Sequence, residues 1–249
     1  MTQLACQTIT WGPERLNSRY PDVVRDVMAA GFVGVETKFD ILKKYREELP
    51  RLREETGVRF VAAHSGFDSL KSAIGNQEEL GTLKAVLRTS QVEYVLVSYG
   101  PQSDTTVYTG VGQTLVEAQR ALGDLGITVL FHNHGHEIEH DFDALKRICD
   151  VGGSQGIGLA VDFGWALRAK VDLNEFIRSL NPCIRYAHFK DFRENQFVEL
   201  GTGDIGLENA VAAVKPLDLP WWIAEQDHCE GQPVDSATRN YQFLQRGLL

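Results

Sequence analysis

Three histidines and a glutamate, residue types that bind metal ions and move protons, lie mid-chain in the run Phe131-His132-Asn133-His134-Gly135-His136-Glu137. Three more such residues, Asp162, His188 and Glu225, each end a short apolar run. Histidine nitrogens and carboxylate oxygens together suit a hard or borderline divalent cation such as Mn²⁺, Mg²⁺, Co²⁺ or Zn²⁺. Since the set holds no thiolate, a structural zinc site is not expected, and open positions would remain for water or substrate. We predict one divalent ion bound by Glu137, Asp162, His188 and Glu225, with His132 as the alternative to Glu137.

The elements that must position these residues alternate along the chain. Strand-like runs begin at Leu4, Phe32, Val58, Val92, Ile127, Ile157, Ile184 and Trp221, and helical periodicity follows each. Eight units of about 31 residues fit an α/β protein of the (β/α)8 TIM-barrel type, with residues 1–249 as one domain. A doubly wound open sheet is the rival, but Thr10-Trp11-Gly12-Pro13 lacks the glycine-rich phosphate turn expected after its first strand.

Polar residues gather at the carboxyl ends of the predicted strands. In a barrel these ends open on one face, where the active sites of this architecture lie. Side chains alternate along a strand, so His188 and Lys190 share one face of strand seven, and His132 and His134 share one face of strand five. We therefore expect residues that are distant in sequence to meet at the barrel mouth.

Each proposed ligand also has a purely structural interpretation. Asp162 could cap a turn, and His188 could be a buried, hydrogen-bonded histidine. Glu225 follows Trp221-Trp222-Ile223-Ala224, a run that should be buried, and an unpaired carboxylate there would be costly. A metal ion or a cationic partner would remove that cost.

Composition narrows the classes of function. The chain has 25 basic and 34 acidic residues, a net charge of −9, which argues against a nucleic-acid partner. Because no apolar stretch reaches membrane-spanning length and the N-terminus lacks signal-peptide character, we expect no membrane partner and a cytoplasmic protein. The four cysteines are scattered, which predicts neither a disulfide framework nor a cysteine zinc site. The sequence is compatible with a homo-oligomer.

At these residues the sequence resembles the xylose isomerase-like TIM-barrel superfamily of sugar phosphate isomerases, epimerases and inosose dehydratase-like proteins. The run from Phe131 to Glu137 is similar to the Tyr-His-Asn-His-x-x-Glu signature of one branch. His188-Phe189-Lys190-Asp191, Gly201-Thr202-Gly203-Asp204-Ile205 and Glu225-Gln226-Asp227 are also similar to its motifs.

The resemblance implies one divalent ion held by Glu, Asp, His and Glu in chain order. The last three carry over to Asp162, His188 and Glu225. The first carries over to Glu137 in the branch signature, whereas many relatives place it where this chain has His132; His134 is a further substitute. Relatives with epimerase activity tend to have a histidine where Trp165 stands here.

The resemblance also implies isomerisation or epimerisation of a sugar, keto-sugar or inositol-derived substrate, by proton removal beside a carbonyl through an enediolate. We assign catalysis to Glu137, Glu225, His64, His134 and Lys190, and substrate contacts to Trp11, Glu36, Lys38, His132 and Trp165. The alternatives are a sugar or cyclitol dehydratase of the same superfamily and a non-catalytic barrel that serves as a partner subunit. A metal-dependent DNA repair endonuclease shares the superfamily, but its basic groove conflicts with a net charge of −9.

Overall fold

Eight parallel strands close into a barrel in the computed structural model, which describes residues 1–249. The barrel strands are β1 (Gln3–Gln7), β2 (Gly34–Lys38), β3 (Arg59–Gly66), β4 (Tyr94–Ser98), β5 (Thr128–His132), β6 (Gly158–Asp162), β7 (Ile184–Phe189) and β10 (Trp221–Ala224). Around the barrel they run in the order β1-β10-β7-β6-β5-β4-β3-β2. The predicted TIM-barrel fold is therefore confirmed.

Helices surround this barrel, and one hairpin covers part of its mouth. The helices are α1 (Gly12–Ala29), α2 (Phe39–Lys44), α3 (Leu49–Thr56), α4 (Phe67–Gly75), α5 (Gln77–Ser90), α6 (Val107–Ala121), α7 (Glu139–Gly152), α8 (Phe163–Arg168), α9 (Leu173–Leu180), α10 (Leu207–Val214) and α11 (Pro233–Leu248). The hairpin pairs β8 (Asp191–Arg193) with β9 (Gln196–Val198) in antiparallel fashion. None of the helices combines the length and apolar character that a membrane crossing requires.

The apolar core has two parts, as a closed barrel requires. The larger part lies between the strands and the helices. The smaller part fills the barrel interior with Ala5, Val61, Ala62, Leu96, Leu130, Ala160, Tyr186, Trp221 and Ile223. Gly34 also faces this interior, where a Cβ atom would lie 2.6 Å from Val61 Cγ2, so only glycine fits without a shift. The filled interior makes the barrel a packed scaffold and leaves its mouth for the site.

The structure differs from the sequence prediction mainly beside the mouth. Strand β5 ends at His132 and not at His134, because the next residues turn into a 3₁₀ segment, Gly135–Glu137. The β8–β9 hairpin and the short helix α8 were not predicted, since segments of three to six residues carry too little periodicity to identify.

Candidate active site

One layer above the filled interior, each barrel strand contributes an inward-facing polar residue. These residues lie two positions after the interior layer on their strands, the spacing that keeps a side chain on the same face. They are Gln7, Glu36, His64, Ser98, His132, Asp162, His188 and Glu225. The barrel thus brings together residues up to about 220 positions apart in sequence.

Four members of this layer, His132, Asp162, His188 and Glu225, form what we call the four-ligand group. One ligand atom from each lies within 4.8 Å of the others, and all four residues are buried. Both ring nitrogens of His132, Oδ2 of Asp162, Nδ1 of His188 and Oε2 of Glu225 make no hydrogen bond. Buried polar atoms without partners are costly. Two imidazoles and two carboxylates are a donor set that a divalent cation would satisfy.

A carboxylate behind the group orients His188. Nε2 of His188 lies 2.8 Å from Oε2 of Glu36, and the Tyr186 hydroxyl donates to the same oxygen at 3.0 Å. This leaves Nδ1 of His188 facing Oε2 of Glu225 at 3.1 Å, without the alignment of a hydrogen bond. Burial acts to lower the pKa of His188, but the charge of Glu36 and contact with Glu225 outweigh it and raise that pKa to about 10. Metal-bound histidines are commonly held by such a carboxylate.

Asp162 both caps a helix and belongs to the four-ligand group, the two roles that the sequence left open. Its Oδ1 accepts the backbone N–H groups of Gly164 and Trp165 at 2.9 and 3.2 Å and so caps α8. Its Oδ2 remains free and points into the group. Burial raises the pKa of Asp162 to about 6, although the nearby Lys190 opposes the shift. One oxygen therefore fixes the backbone while the other is available to a ligand.

Lys190 is a buried cation at the edge of the four-ligand group. Its Nζ lies 3.0 Å from Oδ1 of Asp227, 3.3 Å from Oε1 of Glu225 and 3.6 Å from Oδ2 of Asp162. Burial acts to lower the pKa of Lys190, but these carboxylates, Glu225 above all, raise it instead. The side chain is therefore an ammonium, a hydrogen-bond donor and not a base.

Glu137 lies outside the four-ligand group, which departs from the ligand set expected from the sequence. It belongs to a neighbouring cluster, His134, His136 and Glu137, that we call the Glu137 group. Its Oε1 accepts from the Tyr108 hydroxyl at 3.0 Å and lies 2.8 Å from Nε2 of His136, and its Oε2 accepts the His134 N–H at 2.8 Å. Because β5 ends at His132, Glu137 turns back to brace the turn, and His132 takes the place among the four.

A cavity of about 390 Å³ adjoins the four-ligand group at Glu225, the one member of the group that lines it. Five of the predicted site residues line it: Lys38, His64, His134, Lys190 and Glu225. His64 places Nε2 3.1 Å from the Ser98 hydroxyl and Nδ1 3.5 Å from Oε1 of Glu36. The sequence analysis assigned no role to Asp227, Ser98 or Tyr186, although Asp227 belongs to a recognised motif and Tyr186 shares the strand face of His188.

Four predicted substrate contacts do not line this cavity, and one of them, His132, belongs to the four-ligand group. Glu36 is fully buried beneath it, bonded to His188 and Tyr186. Trp11 is buried against α1 and donates its Nε1 to Oδ2 of Asp26 at 2.9 Å. Trp165 lines an adjoining cavity beyond His134, with its ring 5.5 Å from the Lys190 ammonium. Trp11 and Trp165 follow strands closely, but their side chains turn away from this cavity. Glu36 lies within β2 and points inward, where it is bonded to His188 and Tyr186.

A closed barrel with ionisable residues clustered at the carboxyl ends of its strands defines a TIM-barrel protein with its site at that face. Residues 24–246 match the family model described as "Xylose isomerase-like TIM barrel", and the chain therefore belongs to that family. The resemblance stated from the sequence is thus confirmed. A search of curated proteins found no match.

Solved structures with the same fold cover nearly the whole chain. One is an L-ribulose 3-epimerase, 16% identical, covering 100% of this chain and 95% of its own, with a TM-score of 0.77. A second is a 3-keto-D-glucoside 4-epimerase from E. coli in apo form, 14% identical, with coverage of 99% and 100% and a TM-score of 0.73. A third is an IolI protein with bound zinc, 14% identical, with coverage of 99% and 98% and a TM-score of 0.77. At these identities the likeness establishes the fold.

Proposed function

We propose that the protein is a divalent-metal-dependent isomerase or epimerase of a sugar, keto-sugar or inositol-derived substrate. The observation that carries the proposal is the four-ligand group, whose inward-facing atoms have no hydrogen-bond partner in the chain. The family and its epimerase neighbours support the reaction class. The zinc-bound neighbour supports the use of a metal.

His132, Asp162, His188 and Glu225 are the residues that would hold the ion. A bound divalent ion would supply Lewis acidity to a substrate carbonyl and so make the neighbouring C–H proton removable. Glu36 holds His188 in orientation through Nε2, and the backbone N–H groups of α8 hold Asp162 through Oδ1. These contacts preorganise His188 and Asp162 for metal binding.

Proton transfer falls to residues that line the cavity. We assign the first proton transfer to Glu225 because it lines the cavity. Its pKa lies well below its usual range, because Lys190 and His188 outweigh the effect of burial, so the side chain is ionised. His64 lies on β3, three strands from β10 around the barrel, and offers a second proton-transfer group from another side. Two groups on different sides of one carbon are what an epimerase needs. Glu137 is fully buried with both oxygens bonded, and we do not assign it this role.

A dehydratase is the second candidate, and Lys190 favours it. Its ammonium lines the cavity and can donate a hydrogen bond to a departing hydroxyl group. The two candidates share the first proton removal and differ in whether a hydroxyl leaves.

The test combines elemental analysis with proton exchange. Protein purified with Mn²⁺, Co²⁺ or Zn²⁺ is expected to hold one ion per chain and to exchange a substrate proton for deuterium in a panel of ketoses, inososes and 3-keto-sugars, followed by NMR. Unchanged carbon skeletons with inverted or moved groups indicate epimerase or isomerase, and loss of water indicates dehydratase. Metal-loaded Lys190→Met should keep its ion and lose turnover by about 100-fold. Protein without an ion and without exchange would contradict the proposal and favour a binding subunit.

A further inference from the structure

The inner cavity, which meets the four-ligand group at Glu225, has a second cavity beside it. The outer cavity, of about 450 Å³, lies between α2 and the helices α4 and α5. Phe39, Asp40, Ser65 and Ser69 line both cavities. These four residues therefore form the border between the two cavities, which we call the junction.

The lining of the outer cavity is polar and carries a negative balance. Its charged residues are Asp40, Lys43, Glu78 and Glu79, three carboxylates against one ammonium. The N-terminus of α5 is already capped, because Asn76 Oδ1 accepts the N–H groups of Glu78 and Glu79 at 2.9 and 3.2 Å. A phosphoryl group would meet repulsion and no free helix end here. Neutral hydroxyl groups, in contrast, can donate to the carboxylates.

An aromatic ring stands where the two cavities join. Phe39 is the first residue of α2 and is only half-buried, so part of its side chain faces the shared opening. The apolar C–H face of a sugar ring packs on such an aromatic surface, while its hydroxyl groups point to polar neighbours. Ser65, Ser69 and Thr82 provide hydroxyl partners around the same space.

We propose that the outer cavity binds a second, uncharged sugar ring, so that the substrate is a glycoside or oligosaccharide and not a sugar phosphate. The reacting ring then occupies the inner cavity and its neighbour packs on Phe39. The identity of the reacting ring rests on the proposed function, whereas the second ring can be detected by binding alone.

The test is calorimetric titration of the full-length, metal-loaded protein with glucose, maltose, cellobiose and glucose 6-phosphate. We expect maltose or cellobiose to bind about threefold to tenfold tighter than glucose, from one added ring–aromatic contact. Glucose 6-phosphate should bind no tighter than glucose. Equal affinities for glucose and both disaccharides, or tightest binding of the phosphate, would overturn the proposal.

Two variants locate the second ring. Phe39→Ala should bring the affinities of the disaccharides to within about twofold of glucose. Ser69→Trp, at an exposed position of the junction, should likewise reduce the ratio of disaccharide to glucose affinity within the same variant. Val33→Ala removes an exposed apolar side chain outside both cavities and should leave every affinity unchanged. A disaccharide preference that persists in both junction variants would place the ring elsewhere.

The outer sugar site and the proposed function can fail independently of each other. Disaccharide binding that depends on Phe39, in a protein that exchanges no substrate proton, would retain the outer sugar site and refute the isomerase. Proton exchange on free monosaccharides, without any disaccharide preference, would retain the isomerase and refute the outer site.

Discussion

Two groups of histidines and carboxylates lie side by side at the barrel mouth, and they differ in how the chain satisfies them. In the four-ligand group, five inward-facing side-chain atoms have no hydrogen bond. In the Glu137 group, both oxygens of the central carboxylate are bonded to donors of the chain. Ligand-type residues close together are therefore not sufficient to define a metal site. What distinguishes the first group is that both of its carboxylates keep an oxygen without a hydrogen bond, whereas in the second group only Nδ1 of His134 lacks one.

The difference follows from where each residue stands. Three members of the four-ligand group are inward-facing residues of β5, β6 and β7, and the fourth, Glu225, directly follows β10. The sheet holds all four positions. Glu137 ends the turn Gly135–Glu137, three residues after His134, and accepts the His134 N–H. The first arrangement preorganises ligands. The second stabilises a loop.

Removal of a member of the four-ligand group should have the largest effect on metal binding. His188→Ala loses an imidazole ligand, and we expect metal content to fall from one ion per chain to none by elemental analysis. Asp162→Asn keeps an oxygen to cap α8 and should also lose the ion, which separates ligand loss from misfolding. A full complement of metal in both folded variants would refute the ligand assignment.

Loss of the carboxylate behind His188 should weaken metal binding without abolishing it. Glu36→Gln keeps the volume of the side chain but removes the charge that orients His188, and partners of this type affect affinity by about tenfold to 100-fold. Competition with a chelator measures the change. Glu55→Gln, the same replacement at an exposed ion pair with Arg25, is the matched control and should leave affinity unchanged. Equal affinity in both variants would contradict a positioning role for Glu36.

The corresponding change in the Glu137 group should affect stability and not metal content. Glu137→Ala leaves the buried Tyr108 hydroxyl and the His134 N–H without their acceptor, which should lower the free energy of unfolding by about 3 kcal/mol. Urea unfolding measures this, with Glu139→Ala, an exposed neighbour, as control. Loss of the ion from folded Glu137→Ala protein would remove the distinction between the groups.

The smallest effect concerns His136, whose pKa is raised by its contact with Glu137 against the effect of burial. A group with a raised folded-state pKa stabilises fully below its unfolded value near 6.5, and this contribution is lost as pH rises through the folded pKa. The stability difference between wild type and His136→Gln, measured with chelator present, should be larger at low pH and remain below about 1 kcal/mol. A difference that grows from acidic to alkaline pH would contradict the pairing.

The sequence predicted what depends on strand period and strand count. Eight alternating units indicated the barrel, and parity placed His132, His188 and Lys190 on inward faces. It could not separate Glu137 from His132, because that choice depends on whether β5 ends at His132 or two residues later. A turn of three residues leaves no periodic signal.

The directions of side chains that follow the strands could not be predicted from the sequence either. Trp11 and Trp165 follow strands β1 and β6 closely, yet the first donates to Asp26 behind the barrel wall and the second packs beside Gly135. We expected Glu36 to contact substrate. Its position beneath His188 could be predicted only if the relative placement of β2 and β7 were known. Tertiary packing, not local pattern, decides such positions.

The most direct test of the central claim is an anomalous difference map from crystals of the protein grown with Zn²⁺ or Mn²⁺. The account predicts a single peak within bonding distance of His132, Asp162, His188 and Glu225, with Glu137 still bonded to Tyr108. A peak coordinated by Glu137, or no peak among the four residues at saturating metal, would contradict it.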